Sequence, residues 1–255
     1  MDNVYSDPTK RFSSRVNNYI KYRPGYPPEI INFLKAELAV DQNKIVADLG
    51  SGTGILTELL LKNKYFVYAV EPNAEMRQAA ERMLNSYPNF RSIDGSAEKT
   101  GLEANSIDLI AAAPAFHWFE INKAKEEFIR IIKKGGWIVL LWNTRVNDAS
   151  PFMTTYENFL LEHSIDYVKV SHTNIDESKL RNFFTSGYNT KQFSNTQVFD
   201  FESLKGRVLS SSYMPGENES TYESMLNALK RVFHKYNKNG FVEFVYKTEM
   251  YFGRL

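Results

Sequence analysis

A turn with three glycines, between a predicted buried strand and a predicted helix, constrains the fold of this chain more than any other feature. The apolar run 45–47 predicts the strand, residues 48–54 read DLGSGTG, and residues 56–62 have helical spacing. Glycines at such a turn tolerate positive φ and let backbone N–H groups approach a ligand closely. The dinucleotide-binding pattern needs its third glycine at position 55, where Ile55 stands. The spacing therefore favours a ligand with no pyrophosphate.

Glu71 is the acidic partner of this turn. It stands at the end of the next predicted strand, 21 residues after Gly50. A carboxylate there can accept hydrogen bonds from both hydroxyls of a ribose and would repel a 2′-phosphate. A glycine turn alone is more often structural. The strand, the helix and Glu71 in register together predict ligand binding.

Strands and helices alternate through the first 147 residues. Short apolar runs at 45–47, 65–70, 90–93, 107–112 and 137–142 predict five strands, and residues 30–38, 56–62, 74–85 and 123–132 have helical spacing. This rhythm is typical of an α/β chain with a doubly wound, mostly parallel sheet. We predict that residues 1–147 hold an N-terminal segment and the ligand-binding core.

The regular alternation of predicted strands and helices ends near residue 148. Helical stretches at 152–163, 177–184, 201–211 and 221–236 surround two predicted strands near 191–199 and 241–252, which bring the sheet to seven. We predict that residues 148–255 belong to the same domain and add a helical cap over the carboxyl ends of the strands, where open α/β sheets bind ligands. Simple packing of extra helices on the core is the alternative.

Composition excludes several classes of function. The formal net charge is +1, which gives no broad attraction to nucleic acid or anionic membranes. The chain has no cysteine, so thiolate nucleophiles, disulfides and cysteine-bound zinc are excluded, and we predict no metal site. No apolar run is long enough to cross a bilayer and residues 1–10 are polar, which predicts a cytoplasmic protein.

Four segments in order resemble the motifs of class I S-adenosylmethionine-dependent methyltransferases. Residues 46–54 (VADLGSGTG) resemble their first motif, 70–73 (VEPN) the second and 94–98 (DGSAE) the third. Residues 130–136 (RIIKKGG) resemble the segment before their fifth strand, with Lys134 where proline is usual. The resemblance implies the seven-stranded fold of that family, with a Rossmann-like core, and S-adenosylmethionine as the cofactor.

The resemblance also implies roles for individual residues. The glycine loop would lie against the methionine moiety with Asp48 orienting its ammonium, Glu71 would hold the ribose, and Met76 would pack on the adenine. The cofactor-binding residues predicted in this way are Tyr19, Arg23, Asp48, Gly50, Ser51, Gly52, Glu71, Pro72, Met76, Ser96, Ala97, Glu98, Ala113 and Ala115.

The stretch after the fourth predicted strand narrows the choice of acceptor. Residues 113–119 read APAFHWF, so Ala113 has no side-chain acceptor of the kind that amine-methylating enzymes place there. The stretch resembles the corresponding segment of trans-aconitate methyltransferase-like enzymes. Residues 23–27 (RPGYP) and 251–255 (YFGRL) are similar to segments near the two ends of those enzymes. This narrower resemblance implies a small-molecule acceptor.

Candidate acceptor-binding residues are His117, Trp118, Arg145 and Tyr213. His117 is the best-placed base or polar contact, because residues after strand four face the methyl group in this family; a packing role is the alternative. Arg23 and Arg145 could each pair with a carboxylate in bidentate fashion, or be ordinary surface charges. Tyr213 could line the pocket or simply follow the end of a helix.

The leading hypothesis is methyl transfer to a carboxylate or hydroxyl oxygen of a small molecule by a monomer or homodimer. A carboxylate acceptor is already ionised and needs no base. Two alternatives stay open: a module that binds S-adenosylmethionine without turnover, and an NAD-dependent oxidoreductase, against which Ile55 counts. In either case we expect the N-terminal segment around Tyr19 and Arg23 to close over the ligand together with the cap.

Overall fold

The computed structural model describes residues 16–167 and 177–255, apart from the side chains of Val16 and Asn17. Its centre is a seven-stranded sheet with the order β3-β2-β1-β4-β5-β7-β6. The strands are β1 Ile45–Leu49, β2 Phe66–Val70, β3 Phe90–Ile93, β4 Ile107–Ala112, β5 Ile132–Arg145, β6 Tyr188–Phe199 and β7 Val242–Gly253. The first five are parallel, and β7 runs antiparallel between β5 and β6.

Helices cover both faces of this sheet. They are α1 Val16–Tyr22, α2 Glu29–Ala36, α3 Ile55–Lys62, α4 Ala74–Leu84, α5 Ile121–Ile131, α6 Pro151–His163, α7 Glu177–Phe183, α8 Phe201–Leu209 and α9 Tyr222–Tyr236. A short 3-10 turn, Phe116–Trp118, lies between β4 and α5. The predicted seven-stranded α/β fold is confirmed.

Alternation along the central strands builds two cores. Val46, Leu109 and Val139 pack with α2, α3 and α4 on one face, whereas the next residues of the same strands pack with α5 and α7 on the other. Successive side chains of a strand point to opposite faces, so a sheet buried on both sides needs apolar residues at nearly every position.

A third core lies outside the parallel part of the sheet. Helices α6, α8 and α9 pack their apolar side chains against the first half of β7, around Phe244. The aromatic rings of Phe152, Tyr156 and Phe199 each lie 4.7–5.3 Å from the ring of Phe244. Three of the four helices predicted as a cap share this core, whereas α7, the fourth, packs with α5 in the second core.

The structure differs most from the sequence prediction in two elements. Helix α1 was not predicted, because residues 16–22 (VNNYIKY) have weak helix propensity. Tertiary packing holds it: Tyr19 and Ile20 contact the apolar residues of α4, and the ring of Tyr22 lies where a Cβ at Gly206 of α8 would stand. Strand β5 is longer than predicted at both ends, since Ile132 pairs with Ile107 of β4 at its start and the strand pairs with β7 as far as Arg145 at its end.

Candidate functional site

A cavity of about 430 Å³ opens at the carboxyl ends of β1, β2, β4 and β5. Apart from Asp48, every predicted site residue lines it, namely Tyr19, Arg23, Gly50, Ser51, Gly52, Glu71, Pro72, Met76, Ser96, Ala97, Glu98, Ala113, Ala115, His117, Trp118, Arg145 and Tyr213. We call the part lined by Gly50, Gly52 and Glu71 the loop end, and the part lined by Arg23, Arg145 and Arg207 the arginine end.

The glycine loop has a conformation that other residues adopt only with strain. Gly50, Gly52 and Gly54 have φ values of 67°, 57° and 86°. A Cβ at Gly50 would overlap the Cβ of Ala115, and one at Gly54 would lie 2.6 Å from Leu84 Cδ1. A Cβ at Gly52 would meet only Met76 Sδ, 3.8 Å away, and would otherwise extend into open space. Gly50 and Gly54 are thus required by protein packing, whereas Gly52 keeps space free inside the cavity.

Glu71 connects this loop to the start of α4. Its Oε2 accepts a hydrogen bond from the N–H of Gly52 and its Oε1 accepts one from the N–H of Asn73, both at 2.8 Å. Burial raises the pKa of Glu71, and the two backbone N–H groups and Arg77 oppose that rise. A carboxylate oxygen has more than one lone pair, so both oxygens can still accept hydrogen bonds from a ligand.

Asp48 lies behind the loop and not in the cavity wall. Its side chain is buried, and Oδ2 accepts a hydrogen bond of 2.6 Å from Thr57 Oγ1 on α3. Its Oδ1 is buried without a hydrogen-bond partner among the described residues. Burial raises the pKa of Asp48 to about 7, and the charge of Glu71 adds to the rise while Thr57 opposes it. A role toward the ammonium group of a ligand stays a prediction.

The wall beyond Glu71 presents backbone and apolar groups. Met76 is buried against Ala79, Tyr19 and Ile20. The carboxylate of Glu98 accepts a hydrogen bond of 2.8 Å from the N–H of Glu120, so it is already engaged with the start of α5.

Residues 113–119 form the wall between the two ends of the cavity. Ala115 is buried beneath Gly50, and the 3-10 turn that follows brings His117 and Trp118 to the cavity. The rings of His117 and Trp118 lie 4.7 Å apart at 45°. His117 is thus held by an aromatic neighbour while it lines the cavity, and both predicted roles, base and packing residue, fit this position.

Side-chain amides on β5 and β6 hold the backbone of residues 23–25 by hydrogen bonds. Asn195 Nδ2 on β6 donates to the carbonyl of Gly25 at 2.8 Å, and Asn143 Nδ2 on β5 donates to the same carbonyl at 3.1 Å. Gln197 Nε2, two residues along β6, donates to the carbonyl of Arg23 at 3.3 Å. The backbone on both sides of Pro24 is held, and this directs Arg23 into the cavity.

The three arginines of the arginine end have different partners. Arg145 Nη2 donates to Glu157 Oε2 at 2.9 Å and to Tyr167 Oη at 2.5 Å, so its charge is balanced within the protein. Arg23 lies over the ring of Tyr19, 4.9 Å from its centroid, and its Nη2 donates to the carbonyl of Ser210 at 3.1 Å. The predicted pairing of Arg145 with an acceptor carboxylate would have to displace Glu157.

Arg207 was not among the site residues predicted from the sequence, and it is only 4% exposed. Its Nη1 donates to Ser211 Oγ at 3.0 Å and to Ser210 Oγ at 3.3 Å, and it lines the cavity. A signal for it exists in the sequence, because Leu204, Arg207 and Val208 share one face of α8 at the spacing of an apolar stripe. A charge on such a stripe indicates a buried functional group.

Tyr213 lies beside all three arginines. Burial by itself raises the pKa of Tyr213, but the cations of Arg145, Arg207 and Arg23 outweigh burial and lower that pKa to about 8. Its ring lies 4.9 Å from that of Tyr167.

Among residues 16–167 and 177–255, no group of three histidine or acidic side chains could hold a metal, and no helix is long and apolar enough to cross a membrane.

Comparison with known proteins assigns the part of the chain that carries this site. Residues 47–140 match the family model described as a methyltransferase domain. A solved structure from Anaeromyxobacter dehalogenans, named as a type II methyltransferase, superposes with a TM-score of 0.65 at 19% identity, over 91% of this chain and 98% of that one. Residues 47–140 form a methyltransferase domain. The sheet and its helices have the class I methyltransferase fold.

Curated relatives are similar to this methyltransferase domain and its flanks. An uncharacterized methyltransferase of Mycobacterium tuberculosis is 38% identical over 139 residues, which are 54% of each chain. A malonyl-[acyl-carrier protein] O-methyltransferase of Marinomonas is 26% identical over 189 residues, 68% of each chain. The chain spans about half the length of the first curated relatives it matches.

The order of the strands explains why three of the four motifs read from the sequence meet. The glycine loop, Glu71 and residues 94–98 follow β1, β2 and β3, and residues 113–119 follow β4; the carboxyl ends of these strands lie at one edge of the sheet. The fourth motif, residues 130–136, lies at the end of α5 and the start of β5. The resemblance to class I methyltransferases is thus confirmed for the domain and the fold. The narrower trans-aconitate methyltransferase-like group stays a prediction.

Proposed function

We propose that the protein transfers the methyl group of S-adenosylmethionine to an oxygen atom of a small-molecule acceptor. The observation that carries this proposal is the continuity of the cavity, which runs from the glycine loop and Glu71 past His117 to the arginine end. A methyltransferase needs both compartments, because cofactor and acceptor must be held side by side with water excluded.

The residues of the loop end fit the cofactor. The open space beside Gly52 would admit the methionine moiety, Glu71 would accept hydrogen bonds from the ribose hydroxyls, and Met76 with the backbone of 96–98 would enclose the adenine. The bound cofactor supplies a sulfonium-activated methyl group. The protein residues therefore need to orient the acceptor and shield it from water.

The acceptor oxygen would approach between the 3-10 turn and the cap. A carboxylate oxygen attacks without loss of a proton, so it would need orientation only. A hydroxyl would have to lose its proton, and His117 is the residue in the wall that could take it. The O-methyltransferase name of the Marinomonas relative supports an oxygen acceptor, and the small cavity supports a small molecule.

Three further expectations belong to this proposal. The protein would act as a monomer or homodimer in the cytoplasm, without nucleic acid or membrane partners. Its substrate class would lie near that of the trans-aconitate methyltransferase-like enzymes. The cap helices α6, α8 and α9 would function together with the core as part of one domain, as the shared β7 supports.

Binding of S-adenosylhomocysteine tests the cofactor assignment. A ligand that binds only the folded protein adds about 2.7 kcal/mol to the free energy of unfolding at about 100 times its Kd, so the Tm should rise. NADH should leave the Tm unchanged. A rise with NADH and none with S-adenosylhomocysteine would show that the cofactor assignment is wrong.

Transfer of labelled methyl groups from S-adenosylmethionine to mixtures of small carboxylic acids and alcohols then tests turnover. A labelled ester or ether is the expected product. Tight binding of S-adenosylhomocysteine without transfer to any acid or alcohol would favour the binding module that does not turn over.

A further inference from the structure

Arg207 is a buried cation at the arginine end, and no acidic side chain of the described residues pairs with it. The described ion pairs include neither Arg207 nor Arg23. Among residues 16–167 and 177–255, the hydrogen-bond acceptors of Arg207 are neutral: the hydroxyls of Ser210 and Ser211, and that of Tyr246 at 3.5 Å from Nε. Within this part of the chain, neutral hydroxyl dipoles hold the buried positive charge.

A second cation lies beside the first. Ser210 bonds to both, since its carbonyl accepts from Arg23 and its hydroxyl accepts from Arg207. Burial lowers the pKa of Arg23, and the neighbouring charge of Arg207 lowers it further. The buried Nε of Arg23 has no hydrogen-bond partner among the residues that the structure describes. Two like charges thus face one cavity with donor capacity unused.

Arg145, the third cation of the arginine end, has a carboxylate partner within the protein. Glu157 and Tyr167 bond to its guanidinium, and Tyr167 Oη bonds to the Glu157 carboxylate at 2.8 Å. The described part of the chain therefore supplies a carboxylate for Arg145 and none for Arg23 or Arg207.

Desolvation makes an unbalanced buried charge costly, and a bound anion with good geometry removes much of that cost. A guanidinium binds a carboxylate through two parallel N–H donors, which no serine or tyrosine hydroxyl can match. One planar anion bound beside both guanidinium groups would balance the two cations that line the cavity.

We propose that Arg207, with Arg23 beside it, anchors a carboxylate group of the acceptor. This inference rests on the proposed function, because it assigns the acceptor pocket of that methyltransferase. Arg207 is then the residue that selects acidic acceptors over neutral ones of the same shape, and Arg145 keeps its partner Glu157. The residue acts by binding and takes no part in bond formation.

Paired probes test this selection without knowledge of the natural acceptor. Succinate is compared with succinamide, and benzoate with benzamide, by their effect on the Tm of the protein saturated with S-adenosylhomocysteine, at constant ionic strength. At least one acid should raise the Tm of the wild type while its amide does not. Equal shifts for acid and amide in both pairs would overturn the proposal, and this result needs no variant.

Variants then assign the effect to Arg207. Arg207→Met should weaken the binding of the acid roughly 10- to 100-fold, since a hydrogen bond to a charged group is lost. Arg207→Lys should keep part of the binding. Arg231→Met is the matched control, because Arg231 is exposed on α9 and does not line the cavity. Retained binding of S-adenosylhomocysteine shows that each variant is folded.

Three further outcomes are decisive. An acid that stabilises Arg207→Met as much as the wild type would remove Arg207 from the anchor. Stabilisation by inorganic phosphate that depends on Arg207, with none by either acid, would overturn the carboxylate assignment. Failure of S-adenosylhomocysteine to bind would count against the proposed function instead, and the acid and amide pairs can still be compared on the protein alone.

Discussion

The loop end of the cavity takes its groups from short segments that follow consecutive strands, whereas the arginine end collects its cations from three distant parts of the chain. Gly50, Gly52 and Glu71 lie within 22 residues of one another. Arg23, Arg145 and Arg207 come from the end of α1, the end of β5 and the buried face of α8. The loop end uses backbone N–H groups and a carboxylate, and the arginine end uses cations and hydroxyls.

This difference indicates how each end would be specialised. Backbone groups in a glycine loop have one arrangement that suits one ligand, so the loop end is fixed by the shape of a common cofactor. The cations of the arginine end are single side chains on three separate elements, so each can change without altering the glycine loop, and the arginine end can set the acceptor. The predictions below test whether the two ends can be separated in this way.

The largest effect is expected at Gly52. Gly52→Val fills the open space of the loop end, so binding of S-adenosylhomocysteine should fall by at least roughly 100-fold, as measured by calorimetry. The positive φ of 57° also strains the variant, by about 1–3 kcal/mol.

Gly240→Val is the control for that strain. Gly240 has a φ of 84° in a turn outside the cavity, with no atom within 4 Å of a Cβ placed there. It should lose comparable stability and keep its affinity. Equal loss of affinity in the two variants would mean that strain, and not the filled space, causes the effect.

A smaller effect is expected at Glu71. Glu71→Ala should weaken the binding of S-adenosylhomocysteine by about 1–3 kcal/mol. The reason is that the acceptors for the ribose hydroxyls and for the N–H groups of Gly52 and Asn73 are lost together. Glu81→Ala is the control: it removes a carboxylate on α4 that accepts a hydrogen bond from Ser92 on β3. This variant should keep the affinity for S-adenosylhomocysteine. An affinity of Glu71→Ala equal to the wild type would contradict the assignment of the second motif.

The smallest effect is expected from Asn195, which acts on the arginine end through Arg23. Asn195→Asp keeps the size of the side chain but loses the Nδ2 donor, which bonds to the carbonyl of Gly25, to Asn143 Oδ1 and to Thr248 Oγ1. The position of Arg23 should loosen by the loss of one or two hydrogen bonds, about 1–2 kcal/mol. The difference in Tm shift between succinate and succinamide should shrink, while the affinity for S-adenosylhomocysteine changes less.

Asn189→Asp controls for the edge strand itself, since Asn189 is exposed on β6 and does not line the cavity. It should leave both measurements unchanged. Asn195→Asp could instead lower the succinate–succinamide difference in Tm shift and the affinity for S-adenosylhomocysteine equally. That result would mean that Asn195 stabilises the whole N-terminal segment and does not position Arg23 alone.

The loop end was predictable from the sequence because its signals are local. A strand, three glycines and a helix follow one another directly, and the parallel order of β1 and β2 places Glu71 beside the loop without further information. The sequence also predicted that residues 113–119 would reach the same edge. What it could not supply was the difference between Gly52, which faces open space, and Gly50, which packs on Ala115.

Helix α1 shows why the arginine end was harder to predict. Its own residues favour a helix weakly, and it is stable because Tyr19 contacts α4 while Tyr22 contacts Gly206 of α8. The contact with Gly206 joins residues separated by more than half of the chain. No periodicity within residues 16–22 reports it.

The sequence by itself determined the seven-stranded α/β fold, the ligand loop and its acidic partner, because each depends on spacing along neighbouring elements. The tertiary structure alone decided the charge balance at the arginine end. It paired Arg145 with Glu157 and left Arg207 among hydroxyls, although both arginines look alike in the sequence. The physical reason is that desolvation and ion pairing depend on which distant side chains meet inside the cap.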